Sequence, residues 1–423
     1  FGVWKIGSSP FISLKDAFPD APIFQSDANF MPANGKGLNS LLQNYWMVIH
    51  PPTLFLGFAS TVVPFAFVIA GVMQGKFTEW IRPASVWMIF SVAILGVGII
   101  MGGYWAYETL NFGGYWNWDP VENSSFVPWI FGIAALHGVI AYRKSKAFLG
   151  FSMVLIVSVF LMVLYSTFLT RSGILGETSV HTFTDLGLSG QLLVLLLAFV
   201  FDISALFTAR NNAIPRSTKV IPLKSAEFML FLGVLSLLFA GVVITNFTSV
   251  PVLNKILGTN WAPPAHIGFF YYRWTVFFAI GIAILSGIGQ FMFWRKIRKA
   301  SKWNSLLRPY TLAIALAIVI LFGIALFTDW TFSLDDQLAE WKTQADTETS
   351  MLAAGMRYLS WAIFVFADEI LLFASLFMVL ANLDIMFGLL ARNKRSRMVT
   401  GGSIAHVGFG LMLMGIFFSS GYE

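Results

Sequence analysis

Residues 147–170 read "AFLGFSMVLIVSVFLMVLYSTFLT" and contain no Asp, Glu, Lys or Arg. The hydrocarbon core of a bilayer is about 30 Å thick, so a helix needs roughly 20 apolar residues to cross it. This stretch therefore predicts a membrane-spanning α-helix. Comparable apolar runs recur along the chain at 53–73, 84–104, 126–142, 188–209, 225–247, 274–294, 309–327, 359–390 and 400–418.

These runs predict an all-α fold, a polytopic helical membrane protein with about ten spans. The composition agrees, because 57% of the 423 residues are hydrophobic and 11% are charged, against about a quarter charged in soluble domains. The mean hydropathy is +0.74. The ninth run, 359–390, is too long for one perpendicular crossing, and we expect it either to tilt or to begin as a surface helix.

The chain contains no cysteine. This excludes disulfides, a thiolate metal site, a cysteine nucleophile and covalent haem attachment to this chain through a C-x-x-C-H motif. The net charge of +6 is scattered over short loops, where topology determinants belong, and it does not predict nucleic-acid binding. Because the first residue is Phe1, we expect the natural start to be missing.

Basic residues are concentrated in alternate loops, at 74–83, 143–146, 210–224, 295–308 and 391–399. By the positive-inside rule these five loops are cytoplasmic. The segments between them then lie on the outer face: residues 1–52, 105–125, 171–187, 248–273, 328–358 and the C-terminus.

The outer segment 105–129 reads "WAYETLNFGGYWNWDPVENSSFVPW" and has no basic residue. Tryptophans at span ends often serve only as interface anchors, but anchors are spread over many helix ends. This density favours a platform for a large flat apolar ligand, against which indole rings can stack. The candidate platform residues are Trp105, Trp116, Trp118 and Trp129, together with Asp119 and Glu122.

Three of the five histidines lie in predicted outer segments. His50 precedes Pro51 and Pro52; these prolines suit the first turn of a helix, and they favour an extended conformation for His50. His181 lies in the outer loop after the fourth span. His266 is a weaker candidate for a ligand.

The other two histidines, His137 and His406, lie inside the third and tenth spans. At 1.5 Å per residue they are about 9 and 13 Å from the basic inner edge, so they share a similar depth. Ionisable residues at that depth are costly and indicate function. A hydrogen-bonded packing role is the alternative to a metal site. Imidazole is a common ligand of haem iron, so a bis-histidine haem is the leading candidate.

The segment from Trp105 to Trp129 resembles the WWD motif of the haem-handling superfamily used in cytochrome c maturation. Within it, "LNSLLQNYWMVIHPP" at 38–52, "HPPTLF" at 50–55 and "LTRSGILGETSVHTF" at 169–183 resemble the CcmF family, the haem lyase component of the multi-subunit system. The likeness runs from about residue 9 to residue 420. Asn111, Phe112 and Tyr115 stand where that family tends to have glycine and tryptophan.

The resemblance implies a role for each matching residue. His50 and His181 present axial nitrogens to an incoming haem beside the WWD loop, and Arg171 is a propionate partner or an interface residue. His137 and His406, the latter in "GGSIAHVGFG", hold a permanent haem b in the membrane. His266 has no family role. The family also has further spans before this start and a folded outer domain between its last spans, which we expect to be missing here.

The resemblance further implies a multi-pass protein of the bacterial cytoplasmic membrane with its active site on the outer face. Its expected partners are a haem-delivering chaperone, an apocytochrome c, other maturation subunits and a quinol. The chain then divides into an outer N-terminal segment (1–52), spans one and two (53–104), the platform loop (105–129), spans three to six (130–247) and spans seven to ten (248–423).

The implied reaction joins haem vinyl groups to the thiols of a C-x-x-C-H motif, and those thiols belong to the apocytochrome. Two other classes of function stay open. One is a haem or quinone transporter that uses Asp368 and Glu369 as an intramembrane acid pair, against which a buried helix contact is the simpler interpretation. The other is a non-catalytic haem-binding scaffold for other subunits.

Overall fold

The computed structural model describes most of the chain. The described residues are 12–31, 34, 37–109, 114–176, 179, 189–262, 266–294, 304–327, 339–340, 342–343, 346, 355–356, 358–359, 362, 364–391 and 399–420. Within these ranges the regular secondary structure is entirely helical, and ten segments are long and apolar enough to span a membrane. The predicted fold class is therefore confirmed.

The helices are α1 (Leu14–Ala17), α2 (Pro22–Ser26), α3 (Tyr45–Ser60), α4 (Val62–Gln74), α5 (Ile81–Thr109), α6 (Pro120–Ser145), α7 (Leu149–Arg171), α8 (Ser189–Arg210), α9 (Ala226–Thr248), α10 (Val250–Leu257), α11 (Ile267–Trp294), α12 (Asn304–Phe327), α13 (Ala367–Leu390) and α14 (Gly401–Ser420). A 3-10 turn covers Ser40–Leu42. Helices α3 and α4 together make the first span.

The first span begins earlier than the prolines suggested. Helix α3 starts at Tyr45 because the Asn44 side chain accepts a hydrogen bond from the Trp46 amide at 2.8 Å, the usual cap of a helix start. His50 therefore lies within the helix, and the prediction of an extended His50 is wrong. Pro51 and Pro52 lie inside the helix, where they remove two backbone donors rather than starting it.

A break separates α3 from α4 at Thr61. Pro64 lacks the amide that would bond the Ser60 carbonyl, and its ring crowds that carbonyl, so α3 ends at Ser60. The Ser60 hydroxyl turns to Ser91 on α5 at 2.8 Å. The first span is thus an interrupted helix: both parts pack on α5, and α4 also packs on α7 and α8.

Helices α3 and α5 pack closely because glycines line their contact. A Cβ atom at Gly57 would lie 2.7 Å from the Leu95 backbone, and one at Gly98 would lie 2.8 Å from the Leu54 backbone. Gly98 and Gly102 have the small-xxx-small spacing that lets membrane helices approach each other. This contact fixes the position of α3, which carries His50.

The remaining spans form a continuous bundle. Helix α6 packs on α5, α7 and α9, and α9 in turn packs on α11. Helix α13 packs on α11, α12 and α14. One apolar core lies among α4, α5, α6, α7 and α9, and a second lies among α11, α12, α13 and α14. Helices α6 and α13 are the most enclosed spans.

One end of the bundle, which we name the tryptophan end, gathers the starts of α3, α6, α11 and α13 and the ends of α5, α7, α9 and α14. The contacts that define it are Asn44–Glu108, Trp118–Tyr271, Tyr165–Ser249, Tyr272–Asp368 and Tyr115–Ser419. These residues belong to, or border, the segments that the loop charges grouped on one face. The tryptophan end therefore agrees with that grouping.

The ninth span is shorter than the apolar run 359–390. Helix α13 begins at Ala367, and its N-cap Phe366 is not helical. Near this start, the buried Asp368 carboxylate accepts a hydrogen bond from the Tyr272 hydroxyl on α11 at 2.5 Å. The structure thus gives Asp368 a contact between two helices.

Candidate haem sites

The turn before α6 (residues 114–119), which we name the tryptophan turn, carries Trp116 and Trp118 and is fixed by two acids. Asp119 caps α6 by accepting from the Val121 amide at 2.8 Å, and Glu122 accepts from the Asn117 and Asp119 amides at 2.9 and 3.2 Å. Together they form a capping box. The predicted site residues Asp119 and Glu122 therefore shape the turn, whatever they do toward a ligand.

The indole rings of the turn join an aromatic cluster. Trp118 stacks on Tyr271 of α11 with ring centroids 4.7 Å apart and planes 5° from parallel. Trp116 meets both Trp118 and Phe126 edge-on, at 6.0 and 5.3 Å. Trp129 stacks on Phe126 at 5.7 Å. The tryptophan rings are only partly buried, whereas Tyr271 is buried, so the structure brings three of the four predicted tryptophans into one partly exposed apolar cluster.

The fourth tryptophan, Trp105, lies beside His50. The two rings are stacked, with centroids 6.4 Å apart and planes 28° from parallel. The His50 Nδ1 atom is 2.7 Å from the Gly98 carbonyl oxygen. Because a carbonyl only accepts, the imidazole hydrogen is on Nδ1 and the lone pair is on Nε2. This arrangement, with one ring nitrogen bonded to a carbonyl, is typical of histidines that ligate a metal through the other nitrogen.

Glycines at the end of α5 bring His50 and the tryptophan turn together. A Cβ atom at Gly102 would lie 2.7 Å from His50 Cε1, and one at Gly103 would lie 3.0 Å from the Tyr115 carbonyl oxygen. Since neighbouring Cα atoms are about 3.8 Å apart, the His50 ring and this carbonyl are within about 13 Å of each other. His50 and the tryptophan turn thus lie on adjoining sides of one helix.

The predicted residues after the fourth span are only partly described. Arg171 is the last residue of α7, at the tryptophan end. The Ser179 hydroxyl donates to Asp119 Oδ1 at 2.7 Å, which attaches this segment to the tryptophan turn. His181 lies outside the described residues. His266 is exposed, immediately before α11 and five residues before Tyr271.

The two intramembrane histidines meet where α6 and α14 approach each other. The rings of His137 and His406 have centroids 5.9 Å apart and planes at 76°. In each ring Nδ1 bonds a carbonyl of its own helix, Ile133 at 2.8 Å and Gly402 at 2.6 Å. Both hydrogens are therefore on Nδ1, and both Nε2 atoms carry lone pairs. The Gln290 amide on α11 lies 3.3 Å from His406 Nδ1.

This geometry fits an iron bound by both rings. Two metal–nitrogen bonds of about 2 Å each, together with the distance from each nitrogen to its ring centre, add up to about 6 Å, close to the 5.9 Å between the centroids. In the part of the chain that the structure describes, no group of three or more His, Asp or Glu side chains could hold a bare metal ion. Haem needs only axial ligands from the protein, because its porphyrin supplies the others.

A model of the family described as "Cytochrome C assembly protein" matches residues 21–176. The cytochrome c-type biogenesis protein CcmF of Haemophilus influenzae is 31% identical over 328 residues, which are 77% of this chain and 48% of that protein. The protein of the same name from Escherichia coli is 32% identical over 323 residues, 75% of this chain and 48% of that protein. This chain belongs to the CcmF family.

A solved structure supports the same conclusion. The chain titled "Cytochrome c Heme Lyase CcmF" has a TM-score of 0.62 to this protein at 25% identity, covering 89% of this chain and 52% of that one. This CcmF family member spans about half the length of the relatives it matches. The matched family segment contains His50, the tryptophan turn, His137 and Arg171, whereas His181 and His406 lie beyond it.

Sequence reasoning missed the partners that hold these residues in place. Tyr271 stacks on Trp118, and Gln290 contacts His406, although neither has a distinctive local pattern. Gly98 and Gly102 could have been found, because their four-residue spacing is a known sign of close helix packing.

Proposed function

We propose that this chain is the membrane-embedded part of a cytochrome c haem lyase. The tryptophan end binds haem as substrate while it is attached to an apocytochrome c. One observation carries the proposal: His50 stacks beside Trp105 with its hydrogen on the Gly98 side, so Nε2 can serve as an axial ligand. Membership of the CcmF family gives the class of reaction.

The reaction adds each thiol of a C-x-x-C-H motif across a haem vinyl double bond. A carbon–sulfur bond forms, the S–H bond breaks, and its hydrogen goes to the other vinyl carbon, so no oxidant or reductant is consumed. The chain contributes position: His50 holds the iron, and the cluster of Trp116, Trp118 and Trp129 offers apolar ring surface. Holding the two reactants in the right orientation can lower the activation barrier by several kcal/mol.

His181 is the second axial ligand in this proposal, and Arg171 is the propionate partner. The bond from Ser179 to Asp119 supports the first assignment, because two residues of chain reach at most about 7 Å. The position of Arg171 at the end of α7 supports the second, since a guanidinium pairs well with carboxylates.

The pair of His137 and His406 is the proposed site of a resident haem b, which we name the inner haem. Each imidazole donates its Nδ1 hydrogen to a carbonyl of its own helix, which fixes the ring orientation and leaves the Nε2 lone pair for a metal. A haem bound there would supply electron transfer, and ferrous iron in the substrate haem favours productive attachment. Neutral histidines at this depth are costly unless they are bonded or ligated.

The cellular location and the binding partners are also part of this proposal. The basic loops at the opposite end support a bacterial cytoplasmic membrane with the tryptophan end outside. A haem-delivering chaperone and an apocytochrome c then approach from outside, and other maturation subunits complete the complex. A quinol is the proposed electron donor.

The test is attachment by purified protein supplied with a haem donor and a C-x-x-C-H apocytochrome, followed by the optical spectrum of the product. We expect a thioether-linked cytochrome from the wild type and none from His50→Ala, with the low-spin spectrum of the inner haem unchanged. Attachment at the wild-type rate by His50→Ala would rule out this site. Haem binding without attachment by the wild type would favour a scaffold.

A further inference from the structure

Trp118 has a backbone conformation that its side chain disfavours. Its φ is 55°, in the left-handed region that is uncommon for residues other than glycine and unusual for a bulky one. The two acids accept from backbone amides on either side of Trp118, but a carboxylate cannot donate to the Trp118 carbonyl. A hydrogen-bond donor is needed to hold this carbonyl in place.

That donor is Asn123, one turn into α6. Its Nδ2 atom donates to the Trp118 carbonyl oxygen at 3.0 Å, and the residue is 0% exposed. The Tyr271 hydroxyl lies beside the Asn123 amide and 3.3 Å from Thr248 Oγ1. Asn123 thus holds the main chain of Trp118, while Tyr271, next to the same amide, stacks on its indole ring.

The other end of the Asn123 amide is incomplete. Its Oδ1 atom is buried and has no hydrogen-bond partner in the protein. Asn123 lines a cavity of about 10 Å³ whose wall, formed by α6, α7 and α9, is almost entirely apolar.

We propose that Asn123 is the positioning residue that holds Trp118 in the substrate-haem surface. This inference rests on the proposed function, because it assigns Asn123 a purpose at that site. Buried polar groups without partners are costly, so an asparagine here needs a reason that an apolar residue would not meet. The reason is that Asn123 supplies a hydrogen-bond donor to the carbonyl of Trp118, whose backbone conformation is disfavoured.

Two variants test the donor. Asn123→Leu keeps the volume but removes the hydrogen bond, and Asn123→Ser keeps a polar group that is too short to reach the carbonyl. The matched control is Asn382→Leu. Asn382 is likewise 0% exposed, donates to a carbonyl of its own helix at 2.8 Å and has an Oδ1 without a protein partner, but it lies on α13.

The first measurement is hydrogen exchange of the backbone amides in 114–122, which requires no substrate haem. We expect exchange about tenfold faster in both Asn123 variants and unchanged in Asn382→Leu. The second is titration of haem into protein that already holds its inner haem. We expect about tenfold weaker binding in the Asn123 variants, with the low-spin spectrum of the inner haem unaltered.

Unchanged exchange in the Asn123 variants overturns the proposal. Faster exchange with unchanged haem affinity overturns the link to the substrate site. If the wild type binds no second haem, the proposed function fails, while the exchange result still decides whether Asn123 holds the turn.

Discussion

At the scale of single residues, Gly102 determines how closely His50 can lie to α5. A methyl group at this position would be 2.7 Å from His50 Cε1, so the imidazole must move. Overpacking of this kind costs about 1–3 kcal/mol. We expect Gly102→Ala to weaken haem binding at the tryptophan end by about tenfold, measured by titration. Gly268→Ala is the control, because no atom lies within 4 Å of its added carbon.

Single substitutions can also decide whether His181 or His266 is the second outer ligand. We expect His181→Ala to abolish haem attachment and to leave the inner haem spectrum intact, since the family resemblance assigns the ligand there. His266→Ala should retain most of the activity, because His266 is exposed before α11. Equal losses in both variants, measured as attached haem per apocytochrome, would show that His266 is a ligand too.

At the scale of helices, the contact between α6 and α14 depends on two residues far apart in the chain. We expect His137→Ala or His406→Ala to lose the low-spin spectrum of the inner haem and to slow attachment. Substrate haem supplied in the ferrous state should partly restore attachment in these variants but not in His50→Ala. An unchanged low-spin spectrum in His137→Ala would contradict iron ligation by this pair.

The contact between α11 and α13 separates the lyase from a transporter. In Asp368→Asn the side chain can still accept the hydrogen bond from Tyr272, whereas it can no longer carry a charge. If Asp368 only joins helices, attachment should stay within about twofold of wild type. Tyr272→Phe should lower the free energy of unfolding by about 1–3 kcal/mol, because it removes a hydrogen-bond donor from a buried carboxylate. Loss of activity in Asp368→Asn alone would favour an acid that takes part in transport.

Helix positions were predictable to different degrees from sequence. The spans and the shared depth of His137 and His406 follow from apolar run length and loop charge, which are local properties. The start of α3 was missed because Pro51 and Pro52 indicate a helix that begins there, whereas Asn44 caps a helix that begins at Tyr45. The earlier start is favoured because the Asn44 and Trp46 side chains also donate to Glu108 on α5. The stacking of Trp118 on Tyr271 joins distant segments, so no local pattern indicates it.

At the scale of the whole molecule, the sidedness of the bundle can be tested directly because the chain has no cysteine. Ala213 and Ala262 are both exposed and lie in loops at opposite ends. In intact cells, a membrane-impermeant thiol reagent should label Ala262→Cys and leave Ala213→Cys unlabelled until the membrane is opened. The reverse pattern would place the tryptophan end in the cytoplasm and refute the positive-inside assignment.

Three carboxylates near the tryptophan turn, those of Glu108, Asp119 and Glu122, have an electrostatic consequence for an anionic guest. Glu108 accepts from Asn44 and Trp46, Asp119 from Val121 and Ser179, and Glu122 from two backbone amides. Donors of this kind spread and offset a negative charge. A porphyrin that brings its own propionates therefore meets acids whose oxygens already accept hydrogen bonds within the protein, and the repulsion that three bare carboxylates would exert is reduced before the guest arrives.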